Sequence, residues 1–482
     1  MNTQEVTSVS PPSLMPPPML GTEPVRMPLA LPEYVPPFFT VHPRTGKVRS
    51  LQYAVLYFGC DPEFFFERKG SHIIGAEKVL PEGLKMPANV YNTVTQKYEK
   101  AFSGFVLDGV QVELNPSPNP CRANLANEMK RHFQALKKKL ESMPDIQASF
   151  SQVIDLPQDE LDSLGEAAKV FGCAPSFNTH NQTASVKVDA ATYLKRSAGG
   201  HLHFGLNEHK LMMQERVRAV PLLDILVGNT CVLIDRDPGN RVRRENYGRA
   251  GEYRLPKHGL EYRTLSNFWL RSYQLMSMVM GLWRLALSIL NTTLQNENWR
   301  QDVDACGNGH DFTFNPEAEL LSLVDMGDIE RAINENDLDL ARANFAKIRP
   351  FLEAFSTGTY GPSFGLSKET LPAFDFFCAK VQEHGLSYFF PQDPLDHWSS
   401  IPEGHGTGWE NFLAYKIPGF MEKERIQAKA QAGNQVEPPI VAQAMHICHF
   451  CGRAQRKAGA HCFCGHNWGT VPGRAALNLA AA

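Results

Sequence analysis

The chain has 482 residues, 43% of them hydrophobic and 21% charged, and a formal net charge of −3. This is the composition of a soluble globular protein with material for a large core or two to four domains, and it gives no global signal for nucleic acid or an anionic membrane. Of its ten cysteines, six are scattered singly; without a basic-plus-apolar leader, that pattern suits a reducing compartment, so a cytoplasmic protein is expected.

Residues 1–50 hold eleven prolines and no sustained apolar period. A disordered or extended arm is expected there, more simply a flexible tail than a polyproline docking segment for a protein partner. Strand-like runs then read Tyr53–Phe58, Glu63–Glu67, Gly104–Leu107 and Val110–Leu114. A helix follows over Arg122 to Met143, with Leu125, Met129, Phe133, Leu136 and Leu140 on one face. After a mixed stretch to about 200 come a strand at His201–Leu206 and a helix near Lys210–Leu226 interrupted by Pro221. Arginine-rich loops over 236–258 lead to a strand at Leu260–Leu265. A long helix Leu270–Trp299 is next; its apolar span carries Arg284 and reads as a buried core helix rather than a membrane span. Helical pattern continues over 328–355, and a loop-rich region runs to about 435. Strands interleaved with helices without regular βαβ spacing predict an α+β fold with an antiparallel or mixed sheet.

The informative feature is a set of i, i+2 polar pairs inside apolar strands, where residues two apart share a face. Asp61 and Glu63 form one pair. Gln111, Glu113 and Asn115 oppose Val110, Val112 and Leu114. His201 and His203 oppose Leu202 and Phe204, and Glu261 and Arg263 oppose Leu260 and Tyr262. Any one pair fits an ordinary solvent face, but four together offer carboxylates, imidazoles and guanidinium, the groups that bind hard divalent cations and phosphate. The glycines around His201 and His203 would let a bulky ligand approach the backbone. Six arginines (Arg241, Arg243, Arg244, Arg249, Arg254, Arg263) lead into the Glu261 strand and predict phosphate binding by at least one of them.

Near the C-terminus Cys448-x2-Cys451-Gly and Cys462-x-Cys464-Gly have the spacing of a tetrahedral zinc site, with His461 or His466 as alternative ligands. Arg453, Arg456 and Lys457 between the knuckles leave nucleic-acid contact open beside protein docking or plain structural support. The chain is thus divided into an arm (1–50), a catalytic domain (51–420), a linker (421–440), a zinc module (441–470) and a tail (471–482). There is no Walker A motif, and Gly361-Pro-Ser363-Phe-Gly365 lacks the strand a nucleophile elbow requires.

Gly59-Cys-Asp61-Pro-Glu63, Gly200-His201-Leu-His203 and Glu261-Tyr-Arg263 resemble, in order, the metal-binding strands of glutamine synthetases. The chain is more similar still to the phage-type COOH-NH2 ligases (type 2), relatives of γ-glutamylcysteine synthetase. The motifs are Asp108-Gly…Glu113-Leu-Asn115-Pro, Tyr247-Gly…Glu-Tyr-Arg254 and Leu260-Glu-Tyr-Arg-Thr-Leu-Ser-Asn267, over about 55–300 and toward 390. The resemblance implies a glutamine-synthetase-like sheet funnel and two Mg2+ or Mn2+ ions. It implies that Glu63 and Glu113 hold one cation, and Asp61, His201 and Glu261 the other. It places His203, with Arg244 or Arg249, at the ATP phosphates, and gives Arg254 and Arg263 the transferred phosphoryl group or the substrate carboxylate. Asp61 stands where glutamine synthetases have Glu, and a third acid beside Glu63 and Glu113 is not obvious, Asp108 and Asn115 being candidates.

The expected function is therefore an ATP-dependent carboxylate–amine ligase acting on small-molecule or peptide substrates through an acyl phosphate, in the host cytoplasm if the source is a phage. A metal-dependent hydrolase built on the same His and carboxylate residues is the alternative, and a non-catalytic binding protein working through the zinc module is the third reading.

Overall fold

The apolar–polar alternation of the strands resolves into two antiparallel sheets that meet at one dipeptide. The computed structural model describes residues 57–92, 97–119, 122–169, 176–182, 193–206, 210–304, 315–357, 366, 368, 370–401 and 412–413. Outside those ranges it describes two short antiparallel pairs, Phe39–Val41 with Val48–Ser50 and His446–Ile447 with Ala454–Gln455; a third short pair, Val153–Asp155 with Lys195–Ser197, lies within them. The first pair closes the proline-rich arm. Cys448, Cys451, Cys462 and Cys464, expected to hold zinc, lie outside the described residues.

The first sheet has five strands in the order Phe177–Asn178, Glu252–Arg254, Gly259–Tyr262, Leu202–Gly205 and Tyr57–Cys60. The second runs Ile73–Ile74, Glu63–Arg68, Gln111–Asn115, Lys97–Asp108 and Leu84–Asn92, with Ile146–Ser149 also paired to Glu63–Arg68. The chain leaves the first sheet at Cys60 and enters the second at Glu63, so Asp61-Pro62 belongs to neither ladder. Asp61 and Glu63 therefore do not share one strand face, as their spacing suggested. His201 likewise stands just before its strand and Arg263 just after its own.

Helices cover the sheets from behind. Tyr273–Asp304 follows the turn Asn267–Arg271, whose buried Phe268 amide is capped by the Ser266 hydroxyl. Its Trp283 stacks on Phe204 at 4.2 Å and meets Phe58 at 4.3 Å, which locks the helix to the first sheet. Among the described residues this is the one helix long and apolar enough to cross a membrane, and it is buried in the core. The amphipathic helix Arg122–Leu140 turns Phe133 toward Phe64 and Phe105 of the second sheet.

Several elements differ from the sequence expectation. Pro221 does not end the helical run, because it lies in the first turn of Ala219–Leu223, where its missing N–H has no helical acceptor to lose. The supposed arginine-rich loops contain the helix Gly239–Asn246 and the strand Glu252–Arg254. The stretch over 328–355 is two helices, Met326–Asn334 and Leu338–Thr357, separated where Asn336 adopts φ +54°. The later loop-rich region holds Leu371–His384 and Pro394–Ser399. The strand expected over Gly104–Leu107 extends over Lys97–Asp108 because Lys97–Phe105 pairs with Leu84–Asn92 and Gly104–Asp108 with Gln111–Asn115.

The edge strand Phe177–Asn178 is tied to the helices by a buried network. His180 Nε2 lies 2.8 Å from Asp224 Oδ2, and the Tyr262 hydroxyl donates to Asp224 Oδ1 at 2.7 Å. The hydrogen bond to Asp224, opposed by burial, raises the His180 pKa above its ordinary 6.5. A raised histidine stabilises most below 6.5, and that contribution is lost as pH rises through the folded value. His180→Gln should thus cost about 1–2 kcal/mol in denaturant melts at pH 6 and distinctly less at pH 9.

Candidate active site

Where the sheets meet, two groups of ligand atoms converge. In the first, Asp61 Oδ1 is 3.0 Å from His201 Nδ1 and Asp61 Oδ2 is 3.0 Å from His203 Nε2. Glu261 completes it, its Oε1 3.7 Å from His201 Nδ1. His203 and Glu261 are register partners on adjacent strands, which brings them side by side on one face. Asp61, His203 and Glu261 can each offer a ligand atom, all within 4.8 Å of one another. Asp61 Oδ1, both ring nitrogens of His201 and His203 Nε2 are buried without a hydrogen bond. Close approach without hydrogen-bond geometry, among atoms that all carry or can carry lone pairs, is the arrangement a cation completes. Burial would raise the Asp61 carboxyl, yet His203 and His201 hold it well below the usual range. Burial lowers His201 to about 4.

The second group is Glu63, Asp108 and Glu113, whose ligand atoms also lie within 4.8 Å of one another. Glu63 and Glu113 face each other directly across the antiparallel ladder, where like charges are unfavourable. Glu63 Oε2 accepts hydrogen bonds from the Gly199 amide at 2.6 Å and from Gln111 Nε2 at 2.9 Å, while Asn115 Nδ2 donates to Glu113 Oε1 at 2.6 Å. Burial, then the charges of Asp108 and Glu113, push Glu63 well up. Burial, then Asp61 and Asp108, push Glu113 up to about 8. Three acids held together at this cost fit a hard divalent cation.

That cost gives a test. A carboxyl raised from 4.5 to about 8 makes the metal-free protein lose stability as pH rises between those values, because the unfolded chain ionises first. A bound cation displaces the proton and removes the repulsion. Saturating Mg2+ should therefore raise the melting temperature more at pH 8 than at pH 6 in a thermal-shift assay.

The arginines divide. Arg254 grips Glu261 through two bonds of 2.7 and 2.5 Å, and Arg263 Nε lies 3.2 Å from the same carboxylate. Arg243 is buried and gives its guanidinium to the carbonyls of Thr264, Arg263 and Leu265; burial, then the Arg244 charge, lowers its pKa to about 9. Arg244 and Arg249, one or the other of which is expected at the ATP phosphates, both make contacts within the protein. Arg244 is buried and reaches Asn336 Oδ1, while Arg249, just past the helix Gly239–Asn246, donates to the carbonyls of Arg244 and Glu245 near the end of that helix.

Sequence reasoning gave no task to two supporting residues. Tyr247 lies under both Arg243 and Arg263, 4.6 and 4.9 Å from its ring centre, and its hydroxyl accepts from Arg263 at 3.1 Å. His258 meets His203 from the turn before Gly259. The Tyr247-Gly248 pair was visible as a motif, but nothing local marks His258. The Ser266-Asn267 step of the motif is explained by the ladder it anchors: Asn267 Nδ2 donates to the Glu63 carbonyl at 2.9 Å, and Ser266 Oγ to Asp235 Oδ2 at 2.7 Å.

Fold and site together define an α+β protein with two carboxylate-lined groups able to hold a metal. Residues 178–305 match the family model described as phage phiEco32-like COOH-NH2 ligase, type 2, which points to joining a carboxylate to an amine. No curated protein matches the chain. The matched segment carries His201, His203, Arg254, Glu261 and Arg263. Asp61, Glu63, Asp108 and Glu113 lie before it and reach it only through the fold.

Proposed function

We propose that the protein is an ATP-dependent carboxylate–amine ligase that uses two divalent cations in a glutamine-synthetase-like site. The observation that carries this reading is the pair of ligand groups at the sheet junction, Asp61–His203–Glu261 and Glu63–Asp108–Glu113, within the reach of a ligase-family segment. Mg2+ ions held there would neutralise nucleotide phosphate oxygens, so that the γ-phosphoryl group passes to the substrate carboxylate and gives an acyl phosphate open to attack by the amine.

The chain's own residues have definable tasks. Arg254 is partly exposed, its side chain 27% accessible, and it faces the site with its other edge fixed on Glu261. It suits a phosphoryl or carboxylate oxygen of a substrate. Arg263, buried between Glu261 and Tyr247, helps orient the Glu261 carboxylate. Burial would raise that carboxyl, yet His203, His201 and Arg254 hold it below its ordinary pKa. Gln111 and the Gly199 amide orient Glu63, and Asn115 orients Glu113.

The experiment is phosphate release from ATP with Mg2+ across pools of carboxylates and amines. A ligase releases phosphate only when both a carboxylate and an amine are supplied, and mass spectrometry finds the amide. A hydrolase on the same residues works without nucleotide. Failure of every pool, together with no binding of ATP, sinks the ligase reading.

A further inference from the structure

The His203 ring has two distinct neighbours. Its Nε2 is buried, 3.0 Å from Asp61 Oδ2, and makes no hydrogen bond. Its Nδ1 lies 3.1 Å from His258 Nε2, and the two rings tilt together with centroids 5.3 Å apart. A neutral imidazole carries one N–H, and the hydrogen bond made by one nitrogen fixes which lone pair the other presents.

His258 is not there by accident of a loose side chain. It sits in the turn between Glu252–Arg254 and Gly259–Tyr262, and its carbonyl accepts from the Leu206 amide at 2.8 Å. The Gly259 amide closes the turn on the Pro256 carbonyl at 3.0 Å. Gly259 itself has φ +155°, and a Cβ there would collide with the Phe204 carbonyl, so only glycine lets the turn lie this close to the histidine strand. The backbone of His258 is therefore pinned to the strand that carries His203.

We infer that His258 is a positioning residue that accepts the Nδ1 proton of His203, leaving Nε2 of His203 as the lone-pair donor toward the cation shared with Asp61 and Glu261. The inference rests on the two-cation reading proposed above. Outer partners of this kind commonly change metal affinity 10- to 100-fold when removed. No other hydrogen bond to His203 Nδ1 is seen among the described residues, so a ring without an acceptor at 258 leaves the tautomer unset.

Two measurements on the full chain test it. Long-range 1H–15N NMR of histidine-labelled protein saturated with diamagnetic Mg2+ reads the His203 tautomer, assigned by the signals lost in His203→Gln. Nδ1–H is expected, and finding Nε2–H overturns the inference without any variant at 258. Calorimetric titration with Mn2+ alone, without nucleotide, reads affinity. His258→Phe should weaken one Mn2+ site 10- to 100-fold and release the tautomer. His258→Gln, whose carbonyl oxygen can accept, should retain most of the affinity. Equal binding and an unchanged tautomer in His258→Phe overturn the inference. Absence of Mn2+ binding by the unaltered protein, or binding indifferent to Asp61→Asn and Glu261→Gln, instead defeats the two-cation reading on which the inference rests.

Discussion

Glu63→Gln and Glu261→Gln should each lower carboxylate- and amine-dependent phosphate release by roughly a hundredfold or more, as loss of a preorganised electrostatic group does. The two fail for different reasons. Glu63 is one of three acids crowded on one side of the junction, so neutralising it relieves Asp108 and Glu113 while removing a ligand atom. Its protein should melt no lower than the parent in the absence of metal. Glu261 instead balances Arg254 and Arg263, and its loss leaves a fully buried guanidinium without its carboxylate. That variant should lose activity and also stability, by about 3 kcal/mol. Mn2+ titration separates them further, since each should abolish one binding event and spare the other. Parental activity in both variants would mean that neither group takes part in the reaction.

Gly200→Ala should be nearly as damaging, although no catalytic atom changes. A Cβ at position 200 would fall inside contact distance of the Ser266 carbonyl oxygen and 2.5 Å from Trp269 Nε1. The first is backbone held by the isolated bridge between Gly199 and Ser266. The second belongs to a fully buried ring that donates to the Gly200 carbonyl at 3.1 Å. Neither can give way cheaply, so overpacking should cost about 3 kcal/mol. The strain acts one residue from His201, so Mn2+ affinity should fall together with the denaturant midpoint. Gly70→Ala is the control: it has open space around it, and only its φ of +71° opposes a side chain. An unchanged midpoint in Gly200→Ala would refute the close approach of the two backbones.

The chemical types at the site were legible in the sequence because they break a rule that strands otherwise follow. Acids and imidazoles at alternate positions, set between phenylalanines and valines, have no reason to exist on an ordinary wetted face. The core helix was equally plain, since Met276, Met280, Trp283 and Leu287 recur at helical spacing and all are buried. The two glycines before His201 were read as room for a ligand; the structure shows that the second serves backbone packing against Ser266 and Trp269 instead.

Grouping was decided only by tertiary structure. Same-face reasoning holds within one strand, and at Asp61-Pro62 the chain changes sheets, which sends Asp61 to the histidines and Glu63 to Asp108 and Glu113. The arginines divide for a related reason. A guanidinium is available to a ligand only if no carbonyl has already taken its donors, and the carbonyls that occupy Arg243 and Arg249 are set by how a helix and a turn pack. His258 lies 55 residues from His203 in the chain and meets it only across the ladder. The sequence by itself determined which chemistry the junction holds: carboxylates, imidazoles and guanidinium enough for two cations. Which atom faces which depended on where one proline let the chain cross from sheet to sheet.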